Sequence, residues 1–311
     1  MIMSKVICIM GPTASGKTAL ALELAKVFPV EIISVDSALV YREMDIGTAK
    51  PSADELKKNP HRLVNIMDPS ESFSAGDFCR LANQHIAEIL SLGRIPLLVG
   101  GTMLYFNRLL YGMGNLPLAD AAIRNEINAM ADQDGWSEVH ALLKQFDLES
   151  YKRIHPNDTQ RIQRAIEVYR ITGQSMSHLM RNNNSSFQHQ AINILLEPSD
   201  RSILHKNIAC RLNTMWEAGF ESEVRTLKQR GDLSLSCPSM RSVGYRQVWE
   251  YLDGAYDIDT MREKALVATR QLAKRQLTWL RRWPDGSRFQ IESLKSDLSS
   301  VVRYIQQGLN G

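Results

Sequence analysis

The feature that most constrains this chain is a glycine loop near its N-terminus, GPTASGKT at 11–18. The loop matches the pattern G-x-x-x-x-G-K-[ST]. It follows a short apolar run at 5–10 and precedes an amphipathic stretch, which is the strand–loop–helix context that the pattern needs. Gly11 and Gly16 let the backbone curl so that successive N–H groups point at phosphate oxygens, and the next helix adds the positive end of its dipole. The sequence therefore predicts a phosphate site, whose residues are Gly11, Thr13, Ala14, Ser15, Gly16, Lys17 and Thr18.

Two side chains of the loop have individual roles in this prediction. The Lys17 ammonium is expected to reach the terminal phosphate oxygens, and the Thr18 hydroxyl is expected to ligate a phosphate-bound Mg²⁺. The pattern indicates phosphate without indicating its carrier, for which ATP is the default. A second candidate strand at 97–99 runs into Gly100-Gly101-Thr102, however, and offers a hydroxyl where an ATPase has its acid and glutamate. A glycine turn with a surface lysine is the alternative to a phosphate site.

Strands alternate with helices in the first third of the chain. Apolar runs predict buried parallel strands at 5–10, 31–35 and 95–99, with 62–66 as a weaker candidate. Amphipathic patterns between them predict helices from Thr18 to about Val27 and from about Ala75 to Leu92. This alternation predicts an α/β fold, a P-loop NTPase-like doubly wound parallel sheet covered by helices on both faces.

The pattern changes in the middle of the chain. Only helical patterns occur from 115 to about 185, and the clearest covers 158–172, where Asn157 or Asp158 can cap the helix and Gly173 ends it. A strand at 191–196 then returns to the sheet. We therefore predict one α/β core, formed by 1–114 and 191–311, with an all-helical insertion domain at 115–190. The tail after Pro284 carries little signal.

Composition excludes several other classes of protein. The chain has 311 residues, of which 44% are apolar, and contains no run close to the ~20 apolar residues that span a bilayer. Its four cysteines form no C-x-x-C pair, so a disulfide framework or a structural zinc site is not expected. We expect a soluble, cytoplasmic protein. Nothing in the sequence indicates an obligate assembly, and we expect a monomer.

Asp36 is the first candidate for catalysis. It closes the predicted strand at 31–35, at the carboxyl edge where open α/β sheets bind their ligands. A carboxylate there could ligate a metal or act as a general base toward a group that attacks a phosphate-bearing substrate. The alternative is a turn residue or a helix cap, and the neighbouring glycine loop favours the functional interpretation.

Basic residues crowd the last third of the chain. A helix is predicted from Leu266 onward, and Arg270, Lys274 and Arg281 fall within ~40° of one another on its surface. Arg275 and Arg282 broaden this basic face, with two tryptophans nearby. Such a face could follow a phosphate backbone and stack bases on its aromatic side chains. A solvated helix with packed tryptophans is equally compatible with the spacing.

Two further basic patches occur in other predicted elements. Arg161 and Arg164 are neighbours on the helix at 158–172, and the stretch RSVGYR at 241–246 is the second patch. Three basic patches in separate elements favour a large anionic partner, although each is weak alone.

Several of these strings together resemble the bacterial branch of the tRNA dimethylallyltransferase family, also called tRNA isopentenyltransferases. They occur in the family's order, and the resemblance covers the chain to about Trp283. The strings are GPTASGKT at 11–18, ISVDS at 33–37, MDIGTAKP at 44–51, LVGGT at 98–102, IHPND at 154–158, VGYRQ at 243–247 and TRQLAKRQ at 269–276.

The resemblance implies transfer of a dimethylallyl group from its diphosphate to the exocyclic N6 of the adenosine just 3′ of the anticodon. It also implies that the glycine loop binds the prenyl diphosphate rather than ATP. Asp36 would then be the general base, Thr102 would position the amine or the diphosphate, and Arg124 would lie near the reaction channel. The segments matching tRNA contacts are Asp36, Ser37, Ala38, Leu39, Gln160, Arg161, Ile162, Gln163, Arg164, Arg241, Ser242, Val243, Gly244, Tyr245, Arg246, Lys274, Arg275, Gln276 and Arg281.

Two other functions are compatible with parts of the sequence. A small-molecule kinase would use ATP on the same loop, with Asp36 as the base for a hydroxyl acceptor. A non-catalytic RNA-binding protein would retain a vestigial loop, but the intact Lys17, Thr18 and Asp36 argue against it. The expected partners of the favoured function are tRNA, dimethylallyl diphosphate and Mg²⁺.

Overall fold

The computed structural model describes residues 4–112, 116–181 and 187–311. The chain divides into two compact units, an α/β unit formed by 1–106 and 188–311 and a helical unit formed by 107–187. The sequence analysis put the helical insertion at 115–190. The helical unit begins earlier than this because the boundary falls inside a helix, Met103–Tyr111, that the sequence analysis left in the core.

The described residues of the α/β unit contain one sheet of six parallel strands in the order β3-β2-β4-β1-β5-β6. The predicted doubly wound α/β fold is therefore confirmed. All the strands present their carboxyl ends at one edge of the sheet, so the loops after β1, β2 and β4 are neighbours there. The strands are β1 (Lys5–Met10), β2 (Val30–Val35), β3 (His61–Arg62), β4 (Ile95–Gly100), β5 (Gln190–Glu197) and β6 (Ser287–Gln290).

The helices of both units are numbered in chain order. They are α1 (Lys17–Ala25), α2 (Ala53–Lys58), α3 (Ala75–Ser91), α4 (Met103–Tyr111), α5 (Ala121–Asp134), α6 (Trp136–Ala141), α7 (Leu143–Phe146), α8 (Leu148–Arg153), α9 (Thr159–Thr172), α10 (Met176–Arg181), α11 (Arg201–Glu217), α12 (Phe220–Gln229), α13 (Tyr245–Leu252), α14 (Ile258–Arg281) and α15 (Leu298–Asn310). In this described part of the chain, no helix is both long and apolar enough to cross a membrane.

One layer of the core packs α1 and α15 against the sheet. Leu20 and Leu24 of α1 and Val301 and Ile305 of α15 belong to one buried cluster with residues of β1, β4 and β5. Because parallel strands are buried on both faces, each strand needs an apolar helix face above it and below it. The C-terminal helix is thus part of the core.

Three elements differ from the sequence-based expectation. The strand expected at 62–66 is wrong beyond Arg62, because Leu63 and Asn65 adopt positive φ angles that end the strand. Helix α14 begins at Ile258 rather than at Leu266, and the side chain of its N-cap residue Asp257 accepts a hydrogen bond from the Thr260 N–H. The tail after Pro284, which carried little signal, forms β6 and α15.

The helical unit has a core of its own, to which α9 contributes the most regular pattern. The Asp158 side chain caps α9 by accepting a hydrogen bond from the Arg161 N–H, and Gly173 ends the helix with a φ of 69°. Ile162 and Ile166 are buried in the same cluster as Ile127 of α5. The cap and the stop predicted for this helix are both confirmed.

We predict that the C-terminal helix contributes directly to the stability of the α/β unit. Ile305→Ala should lower the free energy of unfolding by about 2–5 kcal/mol, because it leaves a cavity in a fully buried cluster. Leu92→Ala, at a side chain 63% exposed in the same unit, is the matched control and should cost well under half as much. Urea unfolding of both variants measures the difference. Equal costs would mean that α15 is not part of the cooperative core.

Candidate functional site

The glycine loop joins the end of β1 to the start of α1. Its backbone turns through the left-handed region twice, at Ala14 with a φ of 60° and at Gly16 with a φ of 82°. Alternation between right- and left-handed conformations directs successive N–H groups into one concavity that suits an anion. Helix α1 begins at Lys17, directly after the loop, so its positive dipole end lies at the same place.

A cavity of about 570 Å³ opens beside this loop in the α/β unit. Its walls come from the loops after β1, β2 and β4 and from helices α11 and α14. It brings together residues that the sequence analysis had placed in the phosphate, catalytic and RNA-binding sets. The members of those sets that line it are Thr13, Lys17, Thr18, Asp36, Ser37, Ala38, Leu39, Thr102, Arg241, Ser242, Val243, Gly244, Tyr245, Arg275 and Gln276.

Asp36 is held in this cavity by the turn that follows it. Its Oδ1 accepts hydrogen bonds from the N–H groups of Ala38, at 2.9 Å, and of Leu39, at 3.4 Å. Both bonds are made by the same oxygen, which fixes the carboxylate and leaves Oδ2 outside the turn. The Thr102 Oγ1 accepts a hydrogen bond of 3.1 Å from the Ser37 N–H. The loops after β2 and β4 therefore hold the carboxylate and the hydroxyl on the same wall.

Two cations face the carboxylate from other elements. The Lys17 Nζ donates a hydrogen bond of 2.6 Å to the carbonyl oxygen of Pro12. Burial and, to a smaller extent, the positive charge of Arg211 lower the pKa of Lys17 to about 7, although the Asp36 carboxylate opposes both effects. Burial also lowers the pKa of Arg211, again opposed by Asp36. Two cations that lose hydration in one cavity favour a multiply charged anion between them.

Arg211 is the functional candidate that sequence reasoning missed. It belongs to α11 and lines the cavity, where its Nη2 donates a hydrogen bond of 3.2 Å to the carbonyl oxygen of Thr48. A single arginine on an amphipathic helix is usually a solvated residue, and nothing in the sequence places it beside a loop almost two hundred residues away. The only related signal in the sequence was the string MDIGTAKP at 44–51, because the carbonyl oxygen of its Thr48 accepts the hydrogen bond that orients the Arg211 guanidinium.

Helix α14 presents two faces of different character. Arg275, Gln276 and Trp279 line the large cavity, and the Trp279 side chain is 42% exposed. Trp283, which follows the helix, is buried instead and packs edge-on against Phe106. Trp279 is therefore exposed enough to stack a base, as one interpretation of the sequence requires, whereas Trp283 is packed, as the other interpretation requires.

The other face of α14 lines a smaller cavity of about 230 Å³. The predicted cluster of Arg270, Lys274 and Arg281 all lies on this cavity, and α11 adds Arg201 and His205 from the opposite wall. Apolar side chains form its floor. Cations from two helices around one concavity are suited to a chain of phosphates.

The predicted RNA segment at 241–246 contains both exposed and buried members. Arg241 and Arg246 are exposed, and Arg246 is paired with Glu250 at 2.7 Å. Tyr245 is fully buried and its hydroxyl donates a hydrogen bond to Glu223. The Tyr245 side chain therefore packs inside the α/β unit.

The segment at 160–164 lies on α9 in the helical unit and is divided in the same way. Gln160 and Arg161 are exposed, whereas Ile162 is fully buried in the core of that unit. Gln163 donates a hydrogen bond of 2.7 Å to Asn128, and Arg164 pairs with the buried Glu167.

Arg124, the third catalytic candidate, also belongs to the helical unit. Its Nε donates a hydrogen bond of 2.7 Å to Oε1 of Glu167, and its Nη2 donates one of 3.2 Å to Oε2. This bidentate arrangement is the geometry in which arginine holds a carboxylate most specifically. The buried Glu167 thus fixes the orientation of the guanidinium.

The donor set in the large cavity suits one kind of metal. The Thr18 hydroxyl and the Asp36 carboxylate both line the cavity and are hard oxygen ligands. Within the described ranges, His, Cys, Asp and Glu side chains form no cluster of three or more that could hold an ion alone. Mg²⁺ commonly keeps several waters and binds through few protein ligands together with substrate phosphates. The residues present therefore fit an ion that arrives with a phosphate group.

The comparisons with known families agree with this site. The model of the family described as IPP transferase matches residues 39–283, and the model described as isopentenyl transferase matches residues 4–69. The chain belongs to the IPP transferase family. It is accordingly a transferase, and the kinase alternative raised by the glycine loop is not favoured.

Solved structures extend the likeness to almost the whole chain. The full-length tRNA isopentenylpyrophosphate transferase from Bacillus halodurans is 35% identical, with 98% of this chain and 97% of that one covered and a TM-score of 0.69. The tRNA delta(2)-isopentenylpyrophosphate transferase from Staphylococcus epidermidis is 34% identical, with 98% and 99% covered and a TM-score of 0.69. A eukaryotic dimethylallyltransferase acting on tRNA is 25% identical, with 97% and 78% covered and a TM-score of 0.82.

We predict that anion binding at the loop takes up a proton above neutral pH. The pKa of Lys17 is lowered to about 7, and a bound diphosphate anion would raise it by favouring the charged ammonium. Affinity for pyrophosphate should therefore be independent of this group below pH 7 and fall up to about tenfold per pH unit above it. Calorimetry at pH 8 in two buffers of different ionisation enthalpy should count about one more proton taken up by the native protein than by Lys17→Arg, because the ionisation of pyrophosphate itself contributes to both.

Lys17→Arg is the matched control for this titration, because a guanidinium stays protonated throughout the range. The variant should therefore take up about one proton fewer than the native protein at pH 8. Equal proton uptake by the two proteins would contradict the assignment.

Proposed function

We propose that this enzyme transfers a dimethylallyl group from dimethylallyl diphosphate to N6 of the adenosine just 3′ of the anticodon of tRNA, releasing diphosphate. The proposal rests on one cavity that is lined by the phosphate loop, by the fixed carboxylate of Asp36 and by the basic helix α14. The chain that contains this cavity is a member of the IPP transferase family. The Bacillus relative is a tRNA isopentenylpyrophosphate transferase and the eukaryotic relative is a dimethylallyltransferase acting on tRNA, which supports the same substrate here.

The diphosphate would lie in the glycine loop with its charge divided among several groups. Lys17 and Arg211 supply two positive charges, and the loop N–H groups and the start of α1 supply oriented dipoles. As the allylic carbon–oxygen bond breaks, negative charge grows on the leaving diphosphate. Preorganised cations and dipoles at that position lower the barrier because they need not reorganise during the reaction.

Mg²⁺ is the ion that best fits this arrangement, held by the Thr18 hydroxyl and by the diphosphate itself. When bound, it would neutralise part of the charge that develops on the leaving group. The groups belonging to the chain would hold the diphosphate in place and orient its allylic carbon toward the acceptor.

Asp36 would receive the proton of the acceptor. An adenine amine is a poor nucleophile because its lone pair is delocalised into the ring, so a nearby base assists attack as the N6–carbon bond forms. The Asp36 Oδ1 is fixed by the turn, and Oδ2 is the oxygen left to take the proton. Thr102, on the facing loop, would position the amine or the diphosphate.

The acceptor base stacks inside an anticodon loop and would have to leave its stack to enter the cavity. Extrusion costs a few kcal/mol, which contacts elsewhere on the RNA must offset. The half-exposed Trp279 offers a face on which a base can stack, and the cavity between α11 and α14 offers cations to the backbone. We propose that the exposed basic residues of 241–246 in the α/β unit and of 160–164 in the helical unit also contact the RNA, and that Arg124, oriented by Glu167, contacts a substrate. Because tRNA is cytoplasmic, we place the enzyme there, acting as a monomer.

The direct test incubates the protein and Mg²⁺ with unmodified tRNA and labelled dimethylallyl diphosphate. Nucleoside analysis should find the label on adenosine at the position just 3′ of the anticodon. ATP should not replace the prenyl donor. Label in no nucleoside, or ATP hydrolysis stimulated by a small metabolite, would overturn the proposal.

The role of Asp36 can be tested with a variant that keeps its shape. Asp36→Asn should lower the turnover number by about 10²–10⁴, which is the usual cost of losing a general base. The affinities for tRNA and for the donor should change far less, because the amide still accepts the two backbone hydrogen bonds. Steady-state kinetics and separate binding measurements distinguish the two effects.

Asp54→Asn is the control, since Asp54 is exposed on α2 away from the cavity lining. Near-native turnover of Asp36→Asn would remove Asp36 from the mechanism. Loss of donor binding with the metal present would instead assign the carboxylate to the metal.

The basic face of α14 should contact RNA phosphates. Alanine at Arg270, Lys274 or Arg281 should weaken tRNA binding and reduce the slope of log affinity against log salt by about one unit per contact. Pyrophosphate binding should stay unchanged. Lys57→Ala, at an exposed lysine of α2, controls for the general effect of losing a positive charge. An unchanged slope in the α14 variants would make this face an ordinary solvated surface.

A further inference from the structure

Gln276 makes an unusual pair of contacts for a residue of an RNA-suited helix. Its Oε1 accepts a hydrogen bond of 2.9 Å from the N–H of Thr13 in the phosphate loop. Its Nε2 donates a hydrogen bond of 3.0 Å to the carbonyl oxygen of Gly101 in the loop after β4. One side-chain amide thus connects α14 with both loops that form the candidate reaction site.

The Gln276 amide packs closely against the backbone of Gly101. A Cβ on Gly101 would lie 2.5 Å from the Nε2 of Gln276, so a glycine is needed for the amide to reach the carbonyl. Gln276 is itself only partly exposed and lines the large cavity. Both polar atoms of the amide are used by protein backbone, so Gln276 contributes here through the loops it holds.

The two loops carry the groups that would act on the substrates. Gly101 directly precedes Thr102, whose hydroxyl fixes the Ser37 N–H next to Asp36. Thr13 belongs to the loop whose N–H groups would bind the diphosphate. A small shift of α14 therefore changes the phosphate loop and the acceptor side together.

The RNA-suited residues lie on the same helix and close to this amide. Arg275 and Trp279 line the large cavity, and Lys274 lines the smaller one on the opposite face. An RNA bound across these side chains would fix the axial position and rotation of α14. The Gln276 amide would then transmit that position to the backbone of the phosphate loop.

We propose that Gln276 is a positioning residue that couples RNA binding on α14 to diphosphate binding in the glycine loop. The inference rests on the proposed function and adds an energetic link between its two substrates. The link is reciprocal, because RNA that favours the bridged geometry must bind more tightly when the diphosphate favours the same geometry. Couplings of this kind typically change affinity by about 5–150-fold.

The test uses Gln276→Met, which keeps the length and volume of the side chain and removes both hydrogen bonds. The affinity for inorganic pyrophosphate with Mg²⁺ is measured with and without saturating unmodified tRNA, a pair that cannot react. Native protein should bind pyrophosphate at least about fivefold more tightly when tRNA is present. In Gln276→Met this ratio should fall toward one.

Two further variants separate coupling from a merely structural effect. Gln276→Glu can still accept the hydrogen bond from Thr13 but cannot donate to Gly101, so it should retain part of the coupling at most. Gln306→Met, at an exposed glutamine of α15, should leave the ratio at its native value.

Several outcomes would overturn the inference. A native ratio near one, a native ratio in Gln276→Met, or a Gln276→Met variant weakened equally with and without tRNA would each reject the coupling. The nucleoside analysis decides the transfer reaction separately. Native protein that couples the two ligands yet modifies no adenosine would contradict the proposed function and leave the coupling in place.

Discussion

The geometry of the site depends on the close approach of β2 and β4 at their carboxyl ends. Gly100 pairs with Val35 so closely that a Cβ there would lie 1.9 Å from the Val35 carbonyl oxygen. The strands can therefore end side by side only because Gly100 has no side chain. Asp36 and Thr102 follow directly from this contact, and the Thr102 N–H donates a hydrogen bond of 3.2 Å to the same carbonyl. The remaining elements add charge and shape to a carboxylate and a hydroxyl that backbone packing has already brought together.

The glycine loop, the order of strands and helices and the cap of α9 were predictable because each depends on residues near one another in the chain. Arg211 and the Gln276 bridge were not, since both act on backbone groups far away in sequence. The burial of Tyr245 was hidden for the same reason, because its partner Glu223 lies on another helix and also accepts hydrogen bonds from the N–H groups of 45–47. The strand β6 escaped notice because its four residues have no strong pattern of their own, whereas α15, with Val301 and Ile305 one turn apart, carried an amphipathic pattern that the sequence analysis did not use.

The charged groups of the cavity are unfavourable for the stability of the folded protein. Lys17 and Arg211 are both only partly exposed beside one carboxylate, and burial lowers the pKa of each. Partial burial of these charges costs free energy that an anionic ligand would offset. In the proposed function, a multiply charged diphosphate would offset more of this cost than a singly charged metabolite would.

Helix α14 carries its two sets of contacts on opposite sides of a single rigid rod. Every residue added or removed upstream of Arg270 would turn the rest of the helix by about 100° and advance it by about 1.5 Å. Such a change would move Gln276 away from the loops and the cations away from α11 in one step. Substitutions can change either side independently, whereas an insertion or deletion inside the helix would disturb both. A change in the number of residues would leave both sets of contacts in place only in the connections at the two ends of the helix.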